Sequence, residues 1–97
     1  MSDKNSLLPT AKPTLNPMFL LRWEKTQDAH VLLYPEGVIK LNDSAAEILK
    51  CCSGDMTIES IAEHLKQLFI EVSEMELNSG INHFLEVAYA KGWITSR

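Results

Sequence analysis

The chain of 97 residues is 45 % hydrophobic and 23 % charged, which excludes a chain disordered throughout and predicts one domain with a modest core. Its formal net charge is −4, so it has no long-range positive field that attracts nucleic acid or anionic lipid. No apolar run approaches the about 20 residues that cross a bilayer, and the first residues lack the order of a secretion signal, so we expect a cytoplasmic protein with no membrane partner.

Three prolines, Pro9, Pro13 and Pro17, stand among polar residues at the start of the chain. Each removes a backbone hydrogen-bond donor, and their spacing fits a loose polyproline-like segment. We therefore predict a flexible arm at residues 1–17 and a single folded domain at residues 18–97.

Three short strands are predicted after the arm. The run 18–23 is apolar and aromatic, and residues 24–28 have the length and polarity of a hairpin connection. Pro35 and Gly37 favour a tight turn, so the runs on either side of it fold back on each other. The sequence therefore predicts a three-stranded antiparallel sheet that ends near Leu41.

Beyond this sheet, the spacing of apolar residues changes from two to 3.6 and predicts three helices. One of residues 42–44 caps the first helix, and Ser44 stands at capping-box spacing from Glu47. Thr57 precedes the second apolar stripe, and Ser73 opens the third with another box. These signals place the start of each helix.

Gly80 lies inside the third helix, where glycine costs about 1 kcal/mol relative to alanine. A late start or a bend is therefore expected near this residue, and Trp93 and Ile94 are expected to fold back onto the core. Three strands followed by three helices define an α+β domain with the outline of a winged helix-turn-helix.

The reactive side chains do not form a recognisable catalytic or metal-binding pattern. His30, His64 and His83 lie on different predicted elements, without a partner at ligand spacing. Cys51 and Cys52 are adjacent, which fits neither a disulfide between them nor a C-x-x-C site. We therefore expect no enzyme activity, no metal and no cofactor, with a thiol-based redox function as an alternative.

The last predicted strand, Val38–Leu41, contains one lysine and no proline that would protect an open edge. Such an edge is a template for a strand from another chain. It also predicts an edge-paired or strand-exchanged dimer at high concentration. The alternative is a short, harmless edge with Ile39 and Leu41 in the core and Val38 and Lys40 in solvent.

A winged-helix outline raises a DNA-binding regulator as the alternative function. Its third helix, however, offers Glu74, Glu76 and Glu86 against Lys91 alone. These carboxylates repel phosphates, and a recognition helix needs basic flanks. We therefore expect no nucleic-acid partner.

Four segments carry a resemblance to a known family. They are Trp23-Glu24-x-x-Gln27-x-x-His30-Val-Leu-Leu-Tyr-Pro-Glu-Gly37, then Lys40-Leu-Asn-x-Ser-Ala-Ala46, Cys52-x-Gly54, and Phe84-Leu85 ahead of Gly92. Together they resemble PqqD, the peptide chaperone family of pyrroloquinoline quinone (PQQ) biosynthesis. The resemblance spans about residues 13–94.

This resemblance implies a non-catalytic recognition element that holds a ribosomally made precursor peptide. It also implies a partner, a radical S-adenosylmethionine enzyme that cross-links a glutamate and a tyrosine of the peptide. The peptide is expected to add as a strand beside the third predicted strand, with hydrogen bonds to the backbone of Val38, Ile39 and Lys40, and to lie against the third helix. The implied site residues are Val38, Ile39, Lys40, Leu41, Ile81, Phe84, Leu85 and Ala88.

Overall fold

The structure is a computed structural model and describes residues 7–96. Its strands are β1 (Pro13–Leu15), β2 (Leu20–Glu24), β3 (Ala29–Tyr34), β4 (Gly37–Lys40) and β5 (Ile94–Ser96), and its helices are α1 (Asp43–Lys50), α2 (Ile58–Leu68) and α3 (Glu74–Ala90). The predicted α+β class, with a three-stranded antiparallel sheet followed by three helices, is confirmed.

The main sheet has the strand order β2-β3-β4, and both pairings are antiparallel. Its register places Leu21, Leu32 and Ile39 side by side on one face. Because side chains alternate between the two faces of a sheet, this row packs against the helices, and Leu32 is fully buried. The core therefore lies between this face and the inward stripes of the three helices.

Side-chain caps start all three helices. The Asn42 side chain accepts a hydrogen bond from the Ala45 N–H at 2.8 Å, and Thr57 and Ser73 cap α2 and α3, as predicted. The capping box that begins at Ser44 is wrong, because Asn42 already occupies the cap and Ser44 lies in the first turn. The helix-start signals are thus correct to within two residues.

Helix α3 is continuous across Gly80 and begins at Glu74, so the predicted late start is wrong. The cap at Ser73 and the buried face of α3 outweigh the about 1 kcal/mol that glycine costs in a helix. Ile94 is buried after the helix, and Trp93 packs partly against the core, which confirms the predicted return of the chain.

The structure differs from the predicted flexible arm in residues 7–17. Strand β1 pairs antiparallel with β5, a strand that the sequence did not predict. Pro13 and Ala11 are buried, and Pro13 does not disturb the pairing because proline is tolerated as the first residue of a strand. The predicted arm at residues 1–6 lies outside the described residues, and no helix within residues 7–96 is long and apolar enough to span a membrane.

Candidate functional site

Strand β4 forms an edge of the main sheet, since within residues 7–96 it pairs with β3 alone. The Leu41 N–H donates to the His30 carbonyl oxygen at 3.0 Å. In an antiparallel ladder, residues that exchange such bonds alternate with residues that do not. Gly37 and Ile39 therefore direct their backbone groups at β3, whereas Val38 and Lys40 direct theirs away from the sheet. We call the outward N–H and C=O groups of Val38 and Lys40 the β4 edge.

The four residues that sequence reasoning chose here have different surroundings. Val38 and Lys40 have exposed side chains, with Val38 57 % exposed. Ile39 packs partly against the core, and Leu41 is buried in it. The backbone of Ile39 is directed at Leu32 of β3 and is not open to a guest. The available backbone groups thus belong to every second residue of the strand.

A cavity of about 480 Å³ lies beside the end of β4, between α1 and α3. We call it the α1–α3 groove. Its lining is mainly apolar and comes from both helices, from the end of α2 and from the loop that follows: Asn42, Ser44, Ala45, Ile48, Leu65, Phe69, Val72, Glu76, Leu77, Gly80, Ile81, His83, Phe84 and Val87. Asn42, which lines the groove, follows two residues after Lys40, so the end of β4 leads toward the groove.

The predicted helix residues divide between this groove and the core. Ile81 and Phe84 line the groove, whereas Leu85 and Ala88 are fully buried and do not reach it. Their spacing of four and seven residues from Ile81 keeps them on the inward stripe of α3.

Sequence reasoning did not select the other α3 residues of the groove, which include Gly80, His83 and Val87. Gly80 and Val87 stand four residues before and three residues after Phe84, so helical spacing places them on one face with it. This second stripe, interrupted by a glycine, is the signal by which they could have been found.

Neither thiol is part of the groove or the β4 edge, and both cysteines are buried. Burial raises the pKa of the Cys52 thiol to about 12, with a further contribution from Cys51. Burial and the nearby Glu47 carboxylate also raise the pKa of the Cys51 thiol. Because the thiolate is the reactive form of cysteine, these positions disfavour redox chemistry at neutral pH. Among residues 7–96, no three His, Cys, Asp or Glu side chains are grouped to hold a metal ion.

Comparisons with known proteins agree on one family. A family model described as Coenzyme PQQ synthesis protein D (PqqD) matches residues 29–94. The chain is 48 % identical over 82 residues to the PqqA binding protein of Pseudomonas paraeruginosa, covering 84 % of this chain and 87 % of that protein. It is 38 % identical over 89 residues to the PqqA binding protein of Methylococcus capsulatus, covering 92 % of each.

One solved structure also matches the fold. It is the solution NMR structure of the PqqD truncation of Methylobacterium extorquens PqqCD, described as a functional, stand-alone recognition element for ribosomally synthesized and post-translationally modified peptides. The TM-score is 0.71 at 29 % sequence identity, and the match covers 86 % of this chain and 87 % of the other.

Proposed function

Since the chain belongs to the PqqD family, we propose that it is a non-catalytic chaperone that binds the precursor peptide of PQQ biosynthesis. In the cytoplasm it presents the bound peptide to a radical S-adenosylmethionine enzyme. The relatives called PqqA binding protein support PqqA as the peptide. The observation that carries this proposal is the β4 edge, which has no partner strand within residues 7–96 and is followed in the chain by Asn42 of the α1–α3 groove.

The peptide adds to the sheet as a fourth strand beside β4. The outward N–H and C=O groups of Val38 and Lys40 bond to its backbone, which supplies affinity with little dependence on sequence. Beyond Lys40 the peptide enters the α1–α3 groove, where its apolar side chains meet Ile81 and Phe84. Specificity comes from the contact with the groove, because strand addition distinguishes one peptide sequence from another only through pockets that accept particular side chains.

The groove and the β4 edge contribute binding free energies of similar magnitude. Full burial of one large apolar side chain contributes about 1.5 to 3 kcal/mol, and a typical hydrogen bond contributes a net of about 0.5 to 1.5 kcal/mol. An ion pair from exposed Lys40 to an acidic peptide residue adds only about 0 to 1 kcal/mol. The peptide also loses chain entropy when it becomes ordered, so the Lys40 ion pair only tunes binding, and the backbone hydrogen bonds and apolar contacts together sustain it.

Proline at an outward-facing position tests the role of the backbone. Val38→Pro removes one N–H of the β4 edge and leaves the hydrogen bonds to β3 intact, because the N–H of Val38 faces away from the sheet. We expect a loss of PqqA affinity of about tenfold or more, from the missing hydrogen bond and from the ring that obstructs the added strand. Isothermal titration calorimetry with a synthetic PqqA peptide measures it.

Two further variants control for side chain and fold. Val38→Ala keeps the N–H and should bind PqqA within about twofold of the wild type. Ile39→Pro removes a donor that faces β3 and should unfold the sheet, which circular dichroism detects. A folded Val38→Pro variant that binds PqqA with unchanged affinity would contradict strand addition at β4.

The β4 edge is also where a second copy of the chain would pair. The edge-paired or strand-exchanged dimer at high concentration stays a prediction. An edge-paired dimer uses the same backbone groups as the peptide, so PqqA should dissociate it. Light scattering at increasing protein concentration, with and without the peptide, tests this competition.

A further inference from the structure

Four apolar side chains are exposed where α2 ends and α3 begins. Leu68 is 48 % exposed, Ile70 79 %, Val72 41 % and Met75 82 %. We call these four residues the loop patch; three of them border one surface depression, which residues 68–72 line. Large exposed apolar patches that are rimmed by polar residues mark sites of interaction with other proteins.

Backbone hydrogen bonds fix the loop that carries the patch. The Phe69 N–H donates to the Leu65 carbonyl oxygen at 2.9 Å, and the Val72 N–H donates to the Phe69 carbonyl oxygen at 3.1 Å. Phe69 turns toward the core, whereas Ile70 stays in solvent. The patch is thus ordered before a partner arrives, which reduces the entropy lost on binding.

The loop patch adjoins the end of the α1–α3 groove. Val72 belongs to the patch and also lines the groove, together with its neighbour Phe69. A protein that covers the patch therefore reaches a peptide lying in the groove without displacing it from β4.

Acidic side chains surround the patch. Residues 63–76 contain four glutamates and one lysine, a net charge of −3 within a chain of net charge −4. The Lys66 Nζ lies 3.5 Å from a Glu63 carboxylate oxygen and 3.3 Å from one of Glu74. In the described part of the chain, Glu71 and Glu76 form no ion pair. The patch therefore suits a partner with basic side chains around an apolar centre.

We propose that the loop patch docks the enzyme that modifies the bound peptide, through an apolar surface on that enzyme rimmed by lysine and arginine. This inference rests on the proposed function. A second copy of the chain is disfavoured on the patch. A two-fold contact would bring the same acidic surface of both copies together, so that the Glu71 and Glu76 carboxylates of the two copies repel each other. Anionic lipid is repelled for the same reason.

We expect a transient contact, because the patch consists of four side chains. A stable interface buries more than about 1,000 Å² in total, and few side chains at its centre carry most of the free energy. Ile70 and Met75, the most exposed members of the patch, fit this central role, and their acidic surroundings speed the encounter with a basic partner. Such a contact releases the chaperone once the peptide has reacted.

The double variant Ile70→Ser/Met75→Ser tests the docking. Both side chains are largely exposed, so the fold should be retained. We expect the affinity for the purified radical S-adenosylmethionine enzyme to fall about tenfold or more, and the affinity for PqqA to stay within about twofold. Biolayer interferometry on the full chain measures both. Glu71→Lys should lower the association rate with the enzyme severalfold at low salt.

Leu20→Ser is the matched control, because Leu20 is 57 % exposed and lies on β2 at the other edge of the sheet. It should bind the enzyme like the wild type. Unchanged enzyme binding by the double variant would overturn the docking surface, and so would an equal loss of PqqA affinity, which would assign the patch to the peptide. A wild-type chain that fails to bind PqqA would instead overturn the proposed function.

Discussion

The Cys52 thiol shows how burial couples one side chain to the stability of the domain. Its Sγ donates to the Ile48 carbonyl oxygen at 3.3 Å, and burial raises its pKa from 9.0 to about 12. Between these values the unfolded chain has released the proton and the folded chain has kept it. The contribution of Cys52 to the free energy of unfolding is therefore fully present below pH 9. It is lost as the pH rises toward 12, because deprotonation then favours the unfolded chain.

We predict that Cys52→Ala reduces this alkaline loss of stability. Urea unfolding at about pH 8 and about pH 10.5 gives the fall in the free energy of unfolding for the wild type and for the variant. The wild type should lose more than the variant, because other groups that titrate in this range act on both proteins alike. Equal losses would contradict a protonated, buried Cys52.

The role of a single residue could be predicted where it depends only on its neighbours in the sequence. The caps at Thr57 and Ser73 follow from a hydroxyl side chain that accepts a bond from an N–H three residues on. Leu85 and Ala88 could not be separated from Phe84 in this way. Apolar residues cover a broad part of α3, and the packing of this helix against α2, β5 and the rest of the core decides which of them line a groove and which are covered.

At the scale of elements, Gly80 links the stability of α3 to the space in the α1–α3 groove. Apart from residue 80 itself, its two chain neighbours and the nearby backbone of α3, no heavy atom lies within 4 Å of the position that a Cβ at residue 80 would occupy. Alanine is more favourable than glycine inside a helix by about 1 kcal/mol, so Gly80→Ala should raise the free energy of unfolding by about that amount. Gly80→Leu should also stabilise the helix and, by filling the groove, lower the affinity for PqqA about tenfold.

Ser79→Leu is the control for Gly80→Leu, because Ser79 is an exposed residue of α3 that does not line the groove. Urea unfolding and titration with PqqA measure the two effects separately. If Gly80→Leu is folded and binds PqqA like the wild type, the peptide does not enter the groove at this residue.

Helices and strands could be predicted where a short stretch of sequence contains the pattern that defines them. The three helices and the sheet of β2, β3 and β4 have periodic apolar residues, caps and a turn within short stretches of sequence. Strands β1 and β5 have three residues each and pair Pro13 with Ser96, across most of the chain. No local pattern encodes such a contact, and the prolines around β1 suggest a loop.

For the molecule as a whole, residues 9–15 connect parts of the chain that are distant in sequence. The carbonyl oxygens of Pro9 and Ala11 accept hydrogen bonds from the N–H groups of Glu59 and Ile58 at 3.1 and 3.0 Å. These donors belong to the first turn of α2, which has no partners for them within the helix. The N-terminal segment thus completes α2.

Strand β1 also holds the loop between α1 and α2. The Leu15 N–H donates to the Cys52 carbonyl oxygen at 2.9 Å, and the Gly54 N–H donates to the Pro13 carbonyl oxygen at 3.1 Å. Gly54 has a φ of 90°, and a Cβ there would lie 2.8 Å from the Thr14 Oγ1. This approach requires glycine, so the loop and β1 fit together as one unit.

Truncation tests whether this segment is part of the folded unit. With the chain lacking residues 1–6 as reference, deletion of residues 1–12 removes the two bonds to α2 and the buried Ala11. It should lower the free energy of unfolding by about 2 kcal/mol. Deletion of residues 1–17 also removes β1 and uncovers Ile94, so we expect a larger loss in the free energy of unfolding. The β4 edge and the α1–α3 groove lie outside the deleted part, so any variant that stays folded should still bind PqqA. Urea unfolding gives both losses. A chain of residues 18–97 as stable as the reference would instead support the flexible arm that the prolines predict.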